Sequence, residues 1–265
     1  MSSIYTLSYD KETNQIIRTV KEIFSKNINN NKELSVLIDK YFIPQELEKK
    51  SNAEVSTPFK LRQEMLDKIP IEFWTTPKKV FEPCSGKGGF VIDIIDRFMI
   101  GLKETITDEK ERYKIIVEDC LYFSDINPTN IFICKLLIDP YNKYKLHYNE
   151  GDTLDLNIKD KWNIDGFDAV IGNPPYNDDS GNKGKGHTLW TKFIETSINK
   201  LIIKNGYLLY VNPSLWRQVD HPLQKIMKQY QIEYLEIHNE EDGVKTFKCN
   251  TRYDWYVIKK TPYFK

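Results

Sequence analysis

The sequence predicts an α/β fold: a doubly wound, mostly parallel sheet of seven strands, preceded by a helical extension at the amino terminus. Three observations carry this. Short apolar runs of strand length alternate with segments of helical period from Lys79 onward. The first of these strands runs straight into a glycine-rich turn and a helix. The first fifty residues, by contrast, show helical spacing alone. Strands that alternate with helices require a parallel sheet covered on both faces.

The elements follow in order. Ile16, Ile17, Val20, Ile23 and Phe24 recur at helical spacing, and Leu34, Leu37, Ile38 and Tyr41 repeat the pattern, so residues 1–53 form the extension and 54–265 the main domain. Leu61, Met65, Leu66 and Ile69 mark a short amphipathic helix that stops at Pro70. Lys79 to Glu82 is the first strand, Pro83 to Gly89 a tight turn, and Val91, Ile94, Ile95, Phe98 and Met99 one face of the following helix. Leu121 to Ser124 is the second strand, ending at Asp125 and followed by a helix through Leu137. Lys145 to Tyr148 and Asp168 to Gly172 are the third and fourth. A helix from Leu189 to Ile203 leads to the fifth, Tyr207 to Val211, and a helix from Leu215 to Tyr230 to the sixth, Tyr234 to His238. The seventh, Tyr253 to Lys259, follows with no helix expected before it, which predicts an antiparallel pair at one edge.

Composition narrows the classes. The 265 residues include 16 Tyr, 13 Phe and 5 Trp, enough large apolar side chains to exclude intrinsic disorder. No long apolar run and no basic-then-apolar leader is present, so a protein without membrane contact is expected inside the cell, in the cytoplasm or at the nucleoid. Cys84, Cys120, Cys134 and Cys249 form no CxxC pair, which points to reduced thiols and to no metal site. The 38 basic and 38 acidic residues cancel, yet they are segregated. The stretches 183–204 and 245–265 are basic and 101–160 is acidic, a pattern that suits one face turned to a polyanion.

Two segments carry chemistry. In Glu82-Pro83-Cys84-Ser85-Gly86-Lys87-Gly88-Gly89 the glycines let a ligand approach the backbone, and acids at the ends of the first two strands, Glu82 and Asp125, are placed to accept hydrogen bonds from an amine and from ribose hydroxyls. Val91 stands where a dinucleotide fingerprint needs its third glycine, and no Gly-Lys-Ser/Thr follows, so neither NAD nor a Walker phosphate loop fits. Asn173-Pro174-Pro175-Tyr176 follows the fourth strand directly. Two prolines fix the backbone and remove its donors, leaving the asparagine amide oxygen and the Pro174 carbonyl as acceptors for a planar NH2 group.

At these residues the sequence resembles the S-adenosylmethionine-dependent N6-adenine DNA methyltransferases, of the class whose cofactor motifs precede the Asn-Pro-Pro-Tyr motif. The resemblance runs from about Glu54 to Lys260 and implies the Rossmann-like class I methyltransferase fold. It implies S-adenosylmethionine as cofactor, with Thr57 and Pro58 at its methionine part and Glu82, Cys84, Gly86 and Gly88 at the first turn. Asp125 and Ile126 would meet its ribose and adenine, Asp152 and Thr153 the adenine amino group, and Asn173 would lie beside it. The catalytic motif Asn173, Pro174, Pro175 and Tyr176 would act on an adenine flipped out of DNA, Tyr176 stacking on one face of the base and Phe247 on the other. Lys183 and Lys185, in the polar loop 177–187, would contact the DNA backbone.

Other readings start from the same motif. A protein glutamine N5-methyltransferase also handles a planar NH2, an RNA base is a further target, and an inactive subunit supporting a catalytic partner would share the fold. Only Thr261 to Lys265 follow the last strand, so no separate carboxyl-terminal target-recognition domain is expected. Sequence recognition is then expected from loops or from a protein partner docked on the amino-terminal helices.

Overall fold

A computed structural model describes residues 55–176 and 189–264, with Glu22, Asn30, Glu33 and Val36 as isolated positions before them. The expected helices of residues 1–53 lie outside the described residues. The chain enters through α1 (Phe59–Leu66) and a 3-10 turn (Ile71–Thr75). It continues through β1 (Val80–Glu82), α2 (Gly89–Gly101), α3 (Glu109–Ile115), β2 (Leu121–Asp125), α4 (Pro128–Ile138), β3 (His147–Glu150) and α5 (Ile158–Trp162). Then come β4 (Phe167–Gly172), α6 (Leu189–Thr196), β5 (Ile202–Pro213), α7 (Pro222–Met227), β6 (Tyr230–His238), α8 (Glu240–Phe247) and β7 (Tyr253–Pro262).

The seven strands form one sheet in the order β3-β2-β1-β4-β5-β7-β6. The pairs from β3 to β5 are parallel, whereas β7 runs antiparallel to both β5 and β6. Each central strand is buried on both faces because alternate side chains enter different cores. Val80 joins Ile95, Phe98, Phe123 and Trp255 on one face, while its neighbour Phe81 joins Phe167, Trp190 and Tyr256 on the other. Phe81 stacks on Phe167 at 4.7 Å between centroids, so the second core is aromatic at its centre.

Four expectations are corrected. A helix, α8, does intervene before the last strand: the Asn239 side chain accepts from Asp242 N at 3.0 Å, Asp242 accepts from Asn239 N at 3.1 Å, and three acids occupy the first turn. This capping box nucleates a helix whose apolar stripe is too short to stand out by period. The antiparallel pair is at the edge, but β7 lies inside it, inserted between β5 and β6. The expected helix from Leu215 to Tyr230 is broken into a 3-10 turn (Ser214–Arg217) and α7, because Pro222 excludes the helical conformation at His221, which is extended at ψ 130° and caps α7. Similarly, the helix from Leu189 ends at Thr196 and a wide turn, and Ile202 already belongs to β5.

Candidate active site

The strand order reverses between β1 and β4, which are adjacent and parallel, and at this reversal the crevice beyond the strand carboxyl ends receives a ligand. The residues singled out from the sequence converge there. Glu82 closes β1, Asp125 closes β2, Asp152 and Thr153 follow β3, and Asn173 follows β4.

The turn after β1 is held by its neighbours. Ser85 N donates to Ser124 O at 2.8 Å, Gly88 N to Ser85 O at 2.9 Å, and Gly86 N to the Asp125 carboxylate at 2.8 Å. Gly86 and Gly88 have φ of 49° and 88°, and a Cβ on Gly88 would sit 3.2 Å from Cys134 Sγ. Gly88→Ala is therefore expected to cost about 1–2 kcal/mol, the ordinary penalty for a left-handed L-residue. Thermal unfolding measures it, and an unchanged midpoint would mean that the turn can adopt another path.

Asp125 is buried, and burial pushes its carboxyl up while hydrogen bonds from Asn127 N and Gly86 N pull it back. One oxygen takes Gly86 N and the other Asn127 N, each at 2.8 Å, and the Asn130 side chain hydrogen-bonds the same carboxylate, which leaves acceptor capacity for a hydroxyl donor. Ile126 beside it is 62% exposed, an apolar surface at the crevice. Thr153 turns inward: its hydroxyl lies 2.6 Å from Pro83 O and 2.7 Å from Ser124 Oγ and ties β3 to the glycine-rich turn. The exposed Asp152 carboxylate accepts from Leu154 N at 2.9 Å, beside an open cavity of about 430 Å³ lined also by Asn149, Asp155 and Lys161.

Glu82 is 3% exposed, and its Oε2 has no hydrogen-bond partner. Burial drives its carboxyl well above the usual carboxylate range; Arg62 opposes this, and Asp125 and Asp93 add to it. Cys84 is half-buried, its thiol likewise pushed up by burial and by the carboxylates of Asp125, Glu82 and Asp152.

Gly172 lets the next segment lie against this turn, since a Cβ there would be 3.3 Å from Pro83 Cδ. The Asn173 amide nitrogen then donates to Thr57 Oγ1 at 3.1 Å and points at Val55 O at 3.5 Å, so the upstream Thr57-Pro58 element reaches the Asn-Pro-Pro-Tyr motif. The Asn173 amide oxygen is buried and unpartnered. Pro174 is buried and Pro175 half-buried. Tyr176 is half-buried with an unpartnered hydroxyl sunk in the aromatic core, and burial raises its phenol. Phe247 is only 9% exposed and packs edge-on against Tyr253 at 4.9 Å, as a core residue at the end of α8. Lys183 and Lys185 lie outside the described residues.

Sequence reasoning passed over two residues of this neighbourhood. Arg62 and Asp93 form a buried ion pair at 2.6 Å, each side chain 2% exposed. A charge of each sign on the apolar faces of α1 and α2 was the available signal.

The unpartnered acceptor on Glu82, the Asp125 carboxylate and the apolar Ile126 fit a ligand that carries an amine, ribose hydroxyls and a planar base, as S-adenosylmethionine does. Among the described residues no group of His, Cys, Asp and Glu could hold a metal ion, and no helix is long and apolar enough to cross a membrane.

Residues 119–244 match the model of the Eco57I restriction-modification methylase family, a span that takes in Asp125, Asp152 and the Asn173 to Tyr176 motif. Modification methylase CviBIII of Paramecium bursaria Chlorella virus NC1A is 24% identical over 226 residues, covering 81% of this chain. The chain spans about half the length of that relative, 52%. Among solved structures, a class I S-adenosylmethionine-dependent methyltransferase from Listeria monocytogenes superposes with a TM-score of 0.57 at 16% identity, covering 93% of this chain and 81% of that one. The methyltransferase subunit of a type I restriction-modification system from Streptococcus thermophilus gives 0.57 at 12%, covering 86% and 48%. At such identities these two likenesses concern the fold alone. The family match, over just under half of the chain, and the curated relative make this chain similar to restriction-modification DNA methylases, and its sheet has the class I methyltransferase fold, a likeness that points to S-adenosylmethionine as the cofactor.

Proposed function

We propose that this chain transfers a methyl group from S-adenosylmethionine to the exocyclic N6 amine of adenine in DNA, after the base has been flipped into the crevice between β1 and β4. The observation that carries the reading is the Asn173 amide oxygen, buried and unpartnered at the end of β4 while its own nitrogen is committed to Thr57. A buried acceptor without a donor costs free energy, and a substrate NH2 group is the donor that would relieve it.

Adenine N6 is a weak nucleophile because its lone pair is delocalised into the ring. Asn173 Oδ1 and the Pro174 carbonyl accept the two amine hydrogens, so nitrogen moves toward tetrahedral geometry with its lone pair free. The bound cofactor supplies an electrophilic methyl sulfonium. The methylated nitrogen then loses its proton to water, and no strong base is required of the protein. Tyr176 offers its ring to the extruded base, with its hydroxyl end anchored in the core.

Glu82 makes cofactor binding pH-dependent. Its raised pKa means that the folded protein holds a proton there above the usual carboxyl range; the stability this contributes is full at acid pH and lost as pH rises through the raised value. A ligand ammonium beside Glu82 favours the carboxylate and expels that proton. Calorimetry in buffers of different ionisation enthalpy is expected to record proton release on cofactor binding, abolished in Glu82→Gln. Equal release by both proteins would move the ammonium contact elsewhere.

Mass spectrometry of nucleosides and peptides after incubation with DNA, RNA or protein and labelled cofactor tests the substrate. N6-methyladenine in DNA is expected. Label found only in RNA, or on a glutamine side chain, would replace the proposal with the corresponding alternative.

A further inference from the structure

We infer that Thr57 is a positioning residue that sets which way the Asn173 amide faces, and that Arg62 and Asp93 hold Thr57 in place for this purpose. The two ends of an asparagine amide are nearly the same size, so packing alone does not choose between them. Were the amide reversed, its NH2 would face the substrate NH2, and two donors would meet. At 3.1 Å the Thr57 hydroxyl accepts from Asn173 Nδ2, and Val55 O, which can only accept, lies 3.5 Å from the same nitrogen. In the reversed amide Oδ1 would confront that carbonyl. The observed orientation therefore leaves Oδ1 as the free acceptor.

Thr57 has no strand to hold it, yet it is 6% exposed. Its carbonyl accepts from Arg62 Nη1 at 2.5 Å, and Arg62 Nε donates to Asp93 Oδ2 at 2.6 Å on the first turns of α2. Gly89 makes room for this: a Cβ there would lie 2.8 Å from Arg62 Cζ. A chain of contacts thus runs from the helix behind the glycine-rich turn, through Arg62 and Thr57, to the residue proposed to receive the adenine amine.

The inference rests on the proposed function for its kinetic consequence, while its structural part can be read without any substrate. In protein labelled with 15N at asparagine, the Asn173 side-chain pair is assigned by its loss in Asn173→Ala. Hydrogen exchange of that pair is expected to quicken at least tenfold in Thr57→Val, to recover in Thr57→Ser, and to quicken partway in Arg62→Lys, whose single nitrogen lacks the fork by which Nε and Nη1 reach the two partners. The remaining asparagine pairs report whether each variant is folded. Turnover in Thr57→Val is expected to fall about tenfold with cofactor affinity within about twofold of wild type, one lost hydrogen bond's worth. Unchanged exchange in Thr57→Val would overturn the inference, as would lost cofactor affinity at unchanged turnover, which would make Thr57 a cofactor contact. Unchanged exchange in Arg62→Lys would remove Arg62 and Asp93 from it. If wild-type protein makes no methyladenine, the proposed function fails, and the exchange experiment still decides the amide lock.

Discussion

Asn173→Ala is expected to lower methyl transfer by about a hundredfold or more, the usual loss when one preorganised partner of the reacting group is removed, while cofactor affinity changes little. The asymmetry has a structural source. Asn173 meets the upstream segment through its nitrogen and keeps its oxygen unpartnered, whereas the carboxylates assigned to the cofactor belong to β1 and β2. The fold should survive, because the side-chain hydrogen bonds of this residue go to Thr57 and Val55 and not to the strands. Single-turnover kinetics with saturating cofactor measure the chemical step, and calorimetry measures binding. A variant that transfers methyl groups at the wild-type rate would remove Asn173 from the reaction, and one that no longer binds cofactor would make it a cofactor residue.

Arg62→Met is expected to have the largest effect on stability. Removing one member of a buried pair leaves the other charge uncompensated, which costs about 3–5 kcal/mol. In a chain of this size that lowers the unfolding midpoint on the order of 10 °C. Asp93 would be the stranded charge, at 2% exposure, and Glu82 would lose the cation that opposes its raised pKa. The double substitution Arg62→Met with Asp93→Leu should recover much of the loss, since apolar groups of similar volume replace buried pairs at little cost. Thermal unfolding of the three variants tests this. A single variant within about 2 °C of wild type would mean that water reaches Asp93, and that the pair is not sealed in the core.

The local features of this protein are legible in its residues one segment at a time. Strand runs, the glycine-rich turn and the Asn-Pro-Pro-Tyr motif each depend on backbone preferences or on periodicity within about ten residues, and each was placed in the right order. Parallel pairing of the first five strands followed from their alternation with helices. What only the tertiary structure decided is contact across long stretches of chain. Period cannot say that β7 inserts between β5 and β6, because both edges of β7 offer the same backbone groups and the choice depends on which side chains pack beneath. Nor can it say that Phe247 turns into the core against Tyr253. The meeting of Thr57 with Asn173, 116 residues apart, and of Arg62 with Asp93 leaves no mark in either local pattern. Residue type declares the chemistry a side chain can perform, and the partners that orient it are chosen by three-dimensional packing and by the need to pair every buried charge.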